Sequence, residues 1–188
     1  FDGSFAKKDF YKYDPSSNTW VSIGFSGNKR YSAVSFLYQN KAYLVTGVNN
    51  GTAVNDFWVF DPSIQGSNWK QLRHITNYST DSYDDGYTDI VRWNASAFVI
   101  TGTRSGDKAF LSVGENASPV TTTWAYDFAS DLWSRKSSFE GPATTGAVGF
   151  NVQNRGYVAT GRTGSGQSSQ SDRLMEFHPD DVLNPNNN

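Results

Sequence analysis

A short aromatic pattern that recurs along the chain constrains its fold more than any other feature. The stretch DFYKYDPSSNTW at residues 9–20 returns as DFWVFDPSIQGSNW at residues 56–69 and as TTWAYDFASDLW at residues 122–133. A fourth copy, RLMEFHPDD, has lost several of the shared residues. Each full copy has alternating aromatic residues, an Asp before a turn and a closing Trp, which is the pattern of a β-hairpin. The sequence therefore predicts the same hairpin several times.

A second hairpin pattern lies between the aromatic copies. Three segments align without gaps when they are matched at a closing Thr-Gly: residues 31–47, 86–102 and 145–161. In this alignment the hairpin turns fall at residues 39–41, 94–95 and 153–155. The closing glycines are 55 residues apart from Gly47 to Gly102, and 59 residues apart from Gly102 to Gly161. Two hairpins per period give four strands, which predicts the blades of a β-propeller.

Composition supports an all-β class and excludes several functions. The chain has 13 Phe, 10 Tyr, 6 Trp and 17 Gly, as expected of a turn-rich sheet protein. A net charge of -2 argues against nucleic acid or an anionic membrane surface as a partner. Without cysteine there is no disulfide, zinc-thiolate site or cysteine nucleophile. No apolar run approaches the roughly 20 residues that span a bilayer.

The repeat predicts one propeller segment over residues 1–181. Its expected parts are a partial blade at 1–24, blades at 30–72 and 86–136, and a partial blade at 144–178, followed by a disordered tail at 182–188. Because a propeller needs about four to eight blades, we expect the segment to belong to a larger ring. The remaining blades would lie upstream or on another chain, and the alternative is a compact ring in which the terminal strands complete one another.

The chain resembles kelch repeats, and more narrowly the kelch domains of secreted or surface proteins of Bacteroidetes-type bacteria. DFWVFDP, SSNTW, AVGF, NRGY and the Thr-Gly endings carry this resemblance over nearly the whole chain. The resemblance implies a galactose-oxidase-like propeller and an extracytoplasmic location, periplasmic, surface-anchored or secreted. The galactose-oxidase chemistry itself uses a Cys crosslinked to a Tyr, and this chain has no Cys.

Loop lengths predict which face of the propeller carries the function. The loops between second and third strands and between blades are long, whereas the turns on the opposite face, such as 39–41 and 15–18, are short. Binding residues on rigid scaffolds concentrate in long loops, so we expect a ligand on the long-loop face. The expected ligand-binding residues are Arg30, Tyr83, Asp84, Asp85, Tyr87, Arg104 and Arg162.

Two chemistries could use these residues. The loop NYSTDSYDDGYTD brings Asp81, Asp84 and Asp85 together with several tyrosines, which would suit calcium or a sugar, although a solvated acidic loop explains it at least as well. Arg30, Arg104 and Arg162 could converge on a carboxylate such as that of a sialic or uronic acid, and salt bridges to neighbouring acids are the structural alternative.

Other titratable residues have structural explanations. His74 and His178 are the only histidines and lie in different repeats, so no metal site and no catalytic residue is predicted from them. The turn aspartates Asp14, Asp61 and Asp127 recur in register and should satisfy local amides. The tryptophans that close the three aromatic copies should pack between blades.

The sequence thus predicts an extracytoplasmic, non-catalytic binding module for a protein or a glycan, with no cofactor required. The alternative is a carbohydrate-active enzyme, such as a cofactor-free sialic-acid epimerase or mutarotase. Because propellers host many functions, the fold does not choose between these two classes.

Overall fold

A computed structural model describes residues 2–66, 68–164 and 169–178, so the predicted tail at 182–188 lies outside the described residues. The described chain is built of β-strands with one short 3₁₀ helix, Ser82–Asp84. The strands in chain order are β1 Tyr11–Asp14, β2 Thr19–Ser22, β3 Val34–Tyr38, β4 Lys41–Val45, β5 Val48–Asn49, β6 Thr52–Ala53, β7 Trp58–Phe60, β8 Trp69–Gln71, β9 Ser96–Ile100, β10 Lys108–Ser112, β11 Glu115–Asn116, β12 Ser118–Pro119, β13 Thr123–Asp127, β14 Leu132–Lys136, β15 Val148–Val152, β16 Arg155–Ala159 and β17 Leu174–Phe177.

The strands form a series of antiparallel sheets with the arrangement of propeller blades. Blade 1 is the two-stranded hairpin β1-β2, and blades 2 and 3 are the four-stranded sheets β3-β4-β7-β8 and β9-β10-β13-β14. Blade 4 has the three strands β15-β16-β17. The predicted all-β fold with four-stranded antiparallel blades is confirmed.

The predicted strand positions are wrong in blade 3. Ser96–Ile100 was expected to be the second strand, but it is the inner strand and pairs with Lys108–Ser112. Residues 94–95 therefore precede the inner strand, and residues 101–107 form the turn between the first two strands. The glycine that matches Gly47 and Gly161 is Gly114, because Tyr31↔Val48, Trp93↔Glu115 and Thr145↔Arg162 are equivalent bridges. The alignment had matched Tyr31 with Gly86, seven residues too early.

A line of backbone hydrogen bonds joins the inner strands of successive blades. The Asn94 amide donates to the Ser32 carbonyl at 3.0 Å, and the Gly146 amide donates to the Asn94 carbonyl at 2.8 Å. All three residues occupy the left-handed region, with φ of 53°, 50° and 69° respectively. A residue in the left-handed conformation thus precedes each of the inner strands β3, β9 and β15, and hydrogen bonds between these residues link neighbouring blades.

Apolar cores fill the spaces between neighbouring blades. The core between blades 2 and 3 contains Phe36, Phe57, Tyr126 and Trp133. The core between blades 3 and 4 is built around Phe98. Gly156 lies directly on this ring, since a Cβ added there would stand 2.0 Å from a ring carbon of Phe98. Blade 4 therefore approaches blade 3 too closely for any side chain at position 156.

The repeated aspartates have the local role that the sequence predicts. Asp14 Oδ1 accepts from the Ser16 amide at 2.9 Å, Asp61 Oδ1 from the Ser63 amide at 3.0 Å, and Asp127 Oδ1 from the Ala129 amide at 2.7 Å. Each carboxylate fixes the turn between the third and outer strands of its blade. This prediction is confirmed for all three repeats.

The repeated tryptophans lie at equivalent positions in different surroundings. Trp133 is buried against Phe57, and Trp69 packs on Phe10 and Phe25, as predicted for residues between blades. Trp20 has the same place in blade 1 but is 67% exposed. The prediction is therefore confirmed for two tryptophans and not for the first.

Strand direction divides the loops between two faces. Strands alternate in direction within a blade, so the loops 46–57 and 113–122, and the described residues 160–164 and 169–173 that follow β16, emerge on the face where each inner strand begins. The turns 39–40, 101–107 and 153–154 emerge on the opposite face. We call these the entry face and the turn face.

Candidate functional site

Two buried arginines occupy the same position on the entry side of blades 2 and 3. Arg30 is 7% exposed and ion-pairs with the Asp56 carboxylate, and it also donates to the Thr46 and Asp56 carbonyls. Asp56 in turn accepts from the Trp58 indole at 2.7 Å. Because all these partners are internal, Arg30 is a structural residue, and we exclude it from the proposed ligand-binding set.

Arg92 is the equivalent of Arg30 in blade 3 and was missed by the sequence alignment. It is fully buried and donates to the Ile90, Val113, Thr122 and Asp89 carbonyls at 3.1, 2.8, 2.9 and 2.5 Å. Burial lowers the pKa of Arg92 to about 10, so the guanidinium remains charged at neutral pH. The sequence did contain a signal, since RYSA at 30–33 matches RWNA at 92–95.

Blade 4 departs from this pattern at the same two positions. Thr144 stands in place of the arginine, and Thr145 stands where blades 2 and 3 carry Tyr31 and Trp93. Next to these small side chains the entry face has a cavity of about 420 Å³ that is wide open to solvent. The described residues that line it are Thr145, Gly146, Thr160, Gly161, Arg162, Gln170 and Ser171.

Arg162 supplies the positive charge of this cavity. Its guanidinium donates to the Gly164 carbonyl at 3.1 Å and lies 3.7 Å from the Glu115 carboxylate, a distance too long for a tight ion pair. The same Glu115 oxygen, Oε1, accepts from the Asn94 side-chain amide at 2.7 Å. The side chain of Arg162 is 47% exposed, so a second anion can reach it without breaking a buried pair.

Polar side chains line this cavity. Arg162, Gln170 and Ser171 give it donors and acceptors for a polar molecule. Thr145 is completely buried, and its Oγ1 has no hydrogen-bond partner among the residues that the structure describes. Thr46 Oγ1, at the junction of blade 2, is buried without a described partner in the same way, so this hydroxyl does not distinguish blade 4.

The predicted acidic loop lies elsewhere, between the outer parts of blades 2 and 3. Asp84 is fully buried and accepts from the Tyr78 and Ser79 amides at 2.9 and 2.8 Å. Burial raises the pKa of Asp84, but these bonds outweigh it and hold the pKa below its usual value. Tyr87 is 5% exposed, and its hydroxyl accepts from the Trp133 amide. Asp84 and Tyr87 therefore fix the loop, and we exclude both from the proposed ligand-binding set.

The other two residues of this loop have partners of their own. The Tyr83 ring lies under the Arg73 guanidinium at 4.5 Å and edge-on to Tyr87. Asp85 is exposed and accepts from the Asn77 side chain at 3.4 Å. Neither residue lines the Arg162 cavity. Ligand binding by Tyr83 and Asp85 stays a prediction.

Arg104 lies on the turn face. It belongs to the turn 101–107 between β9 and β10, and the neighbouring Thr101 amide donates to Asn154 in the corresponding turn of blade 4. Arg162 follows β16 on the entry face. The expected convergence of Arg104 with Arg162 is thus wrong, because the shifted strands of blade 3 move Arg104 to the other side of the sheet.

The calcium prediction is not tested by the structure. The carboxylate of Asp84, which was expected to bind the ion, already accepts amides. Among the described residues, no three His, Cys, Asp or Glu side chains lie close enough to hold a metal ion together.

Within the described part of the chain, no helix is long and apolar enough to cross a membrane.

The arrangement of the blades has a solved counterpart. The protein in the "Structure of YjhT", which has a propeller-like fold, matches 89% of this chain with a TM-score of 0.66 and 13% sequence identity. The chain spans about half of that protein, 48% of its length. At this identity the similarity shows the fold alone.

The sequence has no match among family models or curated proteins. No protein-family model matches the chain, and no curated protein matches it either. The cavity on the entry face is therefore the feature from which we infer a function.

Proposed function

We propose that the chain is part of a kelch-type propeller that acts as a binding module, and that the cavity beside Arg162 binds a carboxylated glycan. The half-exposed guanidinium of Arg162, beside an open cavity that hydroxyl and amide side chains also line, is the observation that carries this proposal. The kelch assignment is supported by the sequence repeat and by the likeness to a propeller-like structure.

The chemistry of the cavity favours a sugar acid over an apolar ligand. Its wall contains hydroxyl, amide and guanidinium groups. Each sugar hydroxyl both donates and accepts, which matches Thr160, Ser171 and Gln170. A guanidinium binds a carboxylate through two parallel hydrogen bonds.

We also propose that the chain has no catalytic role. Glu115 lies 3.7 Å from the Arg162 guanidinium and accepts from Asn94, and we assign it no chemical step. An epimerase or mutarotase remains the alternative that the experiment must exclude. From the resemblance to secreted kelch domains we further propose an extracytoplasmic location, which recovery of the native protein in the cytosolic fraction would contradict.

The test is a calorimetric titration of the chain with glucuronic acid and, as the uncharged control, glucose. We expect glucuronic acid to bind more tightly, because only its carboxylate engages Arg162. Arg162→Gln should weaken glucuronic acid about tenfold or more, the loss expected for a hydrogen bond between charged groups. Arg104→Gln on the turn face is the matched control and should change nothing.

Two results would overturn the proposal. Equal affinity for both sugars, or equal loss in the two arginine variants, would show that the cavity does not recognise a carboxylate. If the chain accelerates the exchange of the sugar anomers, measured by NMR, the chain is an enzyme and not a binding module.

A further inference from the structure

The acid beside Arg162 comes from the equivalent position of the neighbouring blade. The bridges Trp93↔Glu115 and Thr145↔Arg162 place Glu115 in blade 3 and Arg162 in blade 4 at the same point of the repeat. Blade 2 has the buried, apolar Val48 there. Among the three blades in which the structure describes this bridge, opposite charges therefore meet at this position only between blades 3 and 4.

Glu115 is the fixed member of the pair. Its side chain is 15% exposed, and its Oε1 accepts from the Asn94 side chain at 2.7 Å. Asn94 is itself tied to both neighbouring blades, since its amide donates to the Ser32 carbonyl and its carbonyl accepts from the Gly146 amide. We therefore expect the Glu115 carboxylate to stay in place when a ligand enters the cavity.

Arg162 is the less constrained member. The residue of blade 4 that corresponds to Asn94 is Gly146, which has no side chain to hold the arginine. The guanidinium donates to the Gly164 carbonyl at 3.1 Å, and its side chain is 47% exposed. The distance of 3.7 Å to Glu115 Oε1 exceeds that of a hydrogen bond, so this pair does not lock the guanidinium.

We propose that Glu115 is a built-in counter-ion of Arg162 that competes with the carboxylate of a ligand and so sets the selectivity of the cavity. This inference rests on the proposed function, because it concerns the same site. A ligand carboxylate on Arg162 lies in the field of a second carboxylate, and like charges this close repel each other. Glu115 therefore weakens the binding of acidic sugars and leaves that of neutral sugars unchanged.

The sign of one measurement distinguishes competition from support. If Glu115 held Arg162 in its binding position, loss of the carboxylate charge would weaken the binding of an acidic sugar. Competition predicts the opposite, because the guanidinium then meets the ligand without a resident anion beside it. The two roles thus give changes of opposite direction in the same variant.

The test is a calorimetric titration of the chain and of Glu115→Gln with glucuronic acid and with glucose. Glutamine has the same shape, and its side-chain oxygen can still accept from Asn94, so the fold should be kept. We expect Glu115→Gln to bind glucuronic acid about three to ten times more tightly and glucose equally. Glu115→Asp keeps the charge and should remain closer to the unmodified chain than Glu115→Gln does.

Asp9→Asn is the matched control, since it removes the same charge at an exposed position ahead of β1 and should change neither affinity. Suppose that the unmodified chain prefers glucuronic acid to glucose, but Glu115→Gln binds glucuronic acid no more tightly. This result would overturn the inference and leave the proposed function intact. An equal gain for glucose would also overturn the inference, because the effect would then be one of shape. If neither chain prefers glucuronic acid, the proposed function fails and the inference fails with it.

Discussion

Blades 3 and 4 have the same backbone junction but different side chains in it. In blade 3 the two residues that open the junction are Arg92 and Trp93, and the arginine donates to four carbonyls. In blade 4 they are Thr144 and Thr145, and the structure has a cavity there. The bridges Trp93↔Glu115 and Thr145↔Arg162 show that the backbone itself is unchanged.

The difference teaches that a repeat can gain a site by losing side chains. Arginine and an aromatic residue stabilise the junction in blades 2 and 3, where they are present. With two threonines in their place, blade 4 has an open space at this junction, and Arg162 lines it. Function would then lie in the blade that departs from the pattern, and the regular blades would serve as the scaffold.

The largest effect is expected from Arg92→Met. The substitution leaves four carbonyls without their donor, those of Ile90 and Val113 buried and those of Asp89 and Thr122 partly buried, so the free energy of unfolding should fall by about 3 kcal/mol or more. Urea denaturation measures it, with Arg173→Met as the exposed control that should stay within about 0.5 kcal/mol. A loss no greater than the control's would show that the junction of blade 3 does not depend on the arginine.

Gly156→Ala tests the packing of blade 4 on blade 3. The added methyl group would meet the ring of Phe98, so we expect a loss of about 1–3 kcal/mol in the free energy of unfolding. Gly86→Ala is the matched control, because a Cβ there has no neighbour within 4 Å and the glycine lacks a positive φ. Equal urea midpoints for the two variants would contradict the close approach.

Thr145→Tyr restores in blade 4 the residue that blade 2 carries at this position. The ring should occupy cavity volume and remove the buried hydroxyl, so glucuronic acid binding should weaken about tenfold or more, a change of about 1.4 kcal/mol. Calorimetry measures it, and Thr80→Tyr in the exposed loop is the control. Unchanged affinity in the Thr145 variant would show that the ligand does not bind in this cavity.

The smallest effect concerns the turn aspartate of blade 2. Hydrogen bonds from Ser63 and the ion pair with Lys41 lower the pKa of Asp61 to about 2. Since the folded pKa lies below the unfolded value, its contribution is present above about pH 4 and is lost as the pH falls through 2. Asp61→Asn should therefore lower the urea midpoint at pH 6, and its difference from the unmodified chain should become smaller as the pH falls from 4 to 2, whereas Asp85→Asn should leave the midpoint unchanged throughout. A difference as large at pH 2 as at pH 6 would contradict this account.

How far the sequence predicts the fold depends on which residues repeat. The alternating aromatic residues and turn aspartates predicted the third and outer strands correctly, because their local chemistry is the same in each blade. The Thr-Gly ending misplaced the first two strands of blade 3. Thr101-Gly102 belongs to a turn, and Val113-Gly114 is the true equivalent of Thr46-Gly47.

The candidate site was harder to predict for a physical reason. Arg30, Asp84 and Tyr87 are polar residues in or near loops, which suggests a ligand, but tertiary contacts bury all three. Arg162 was identified because it follows a strand end on the long-loop face. The cavity lies where Thr144 and Thr145 replace the arginine and the aromatic residue of blades 2 and 3. The sequence alignment did not show this replacement, because it had blade 3 in the wrong register.

The most direct test of the central claim is an NMR titration of the ¹⁵N-labelled chain with glucuronic acid. The account predicts shifts concentrated at the amides of Thr145, Gly146, Gly161, Arg162 and Ser171, with the equivalent amides of blades 2 and 3 unchanged. Shifts centred on the loop of Tyr83 and Asp85 would contradict it, as would equal shifts at all three junctions or none at any of them.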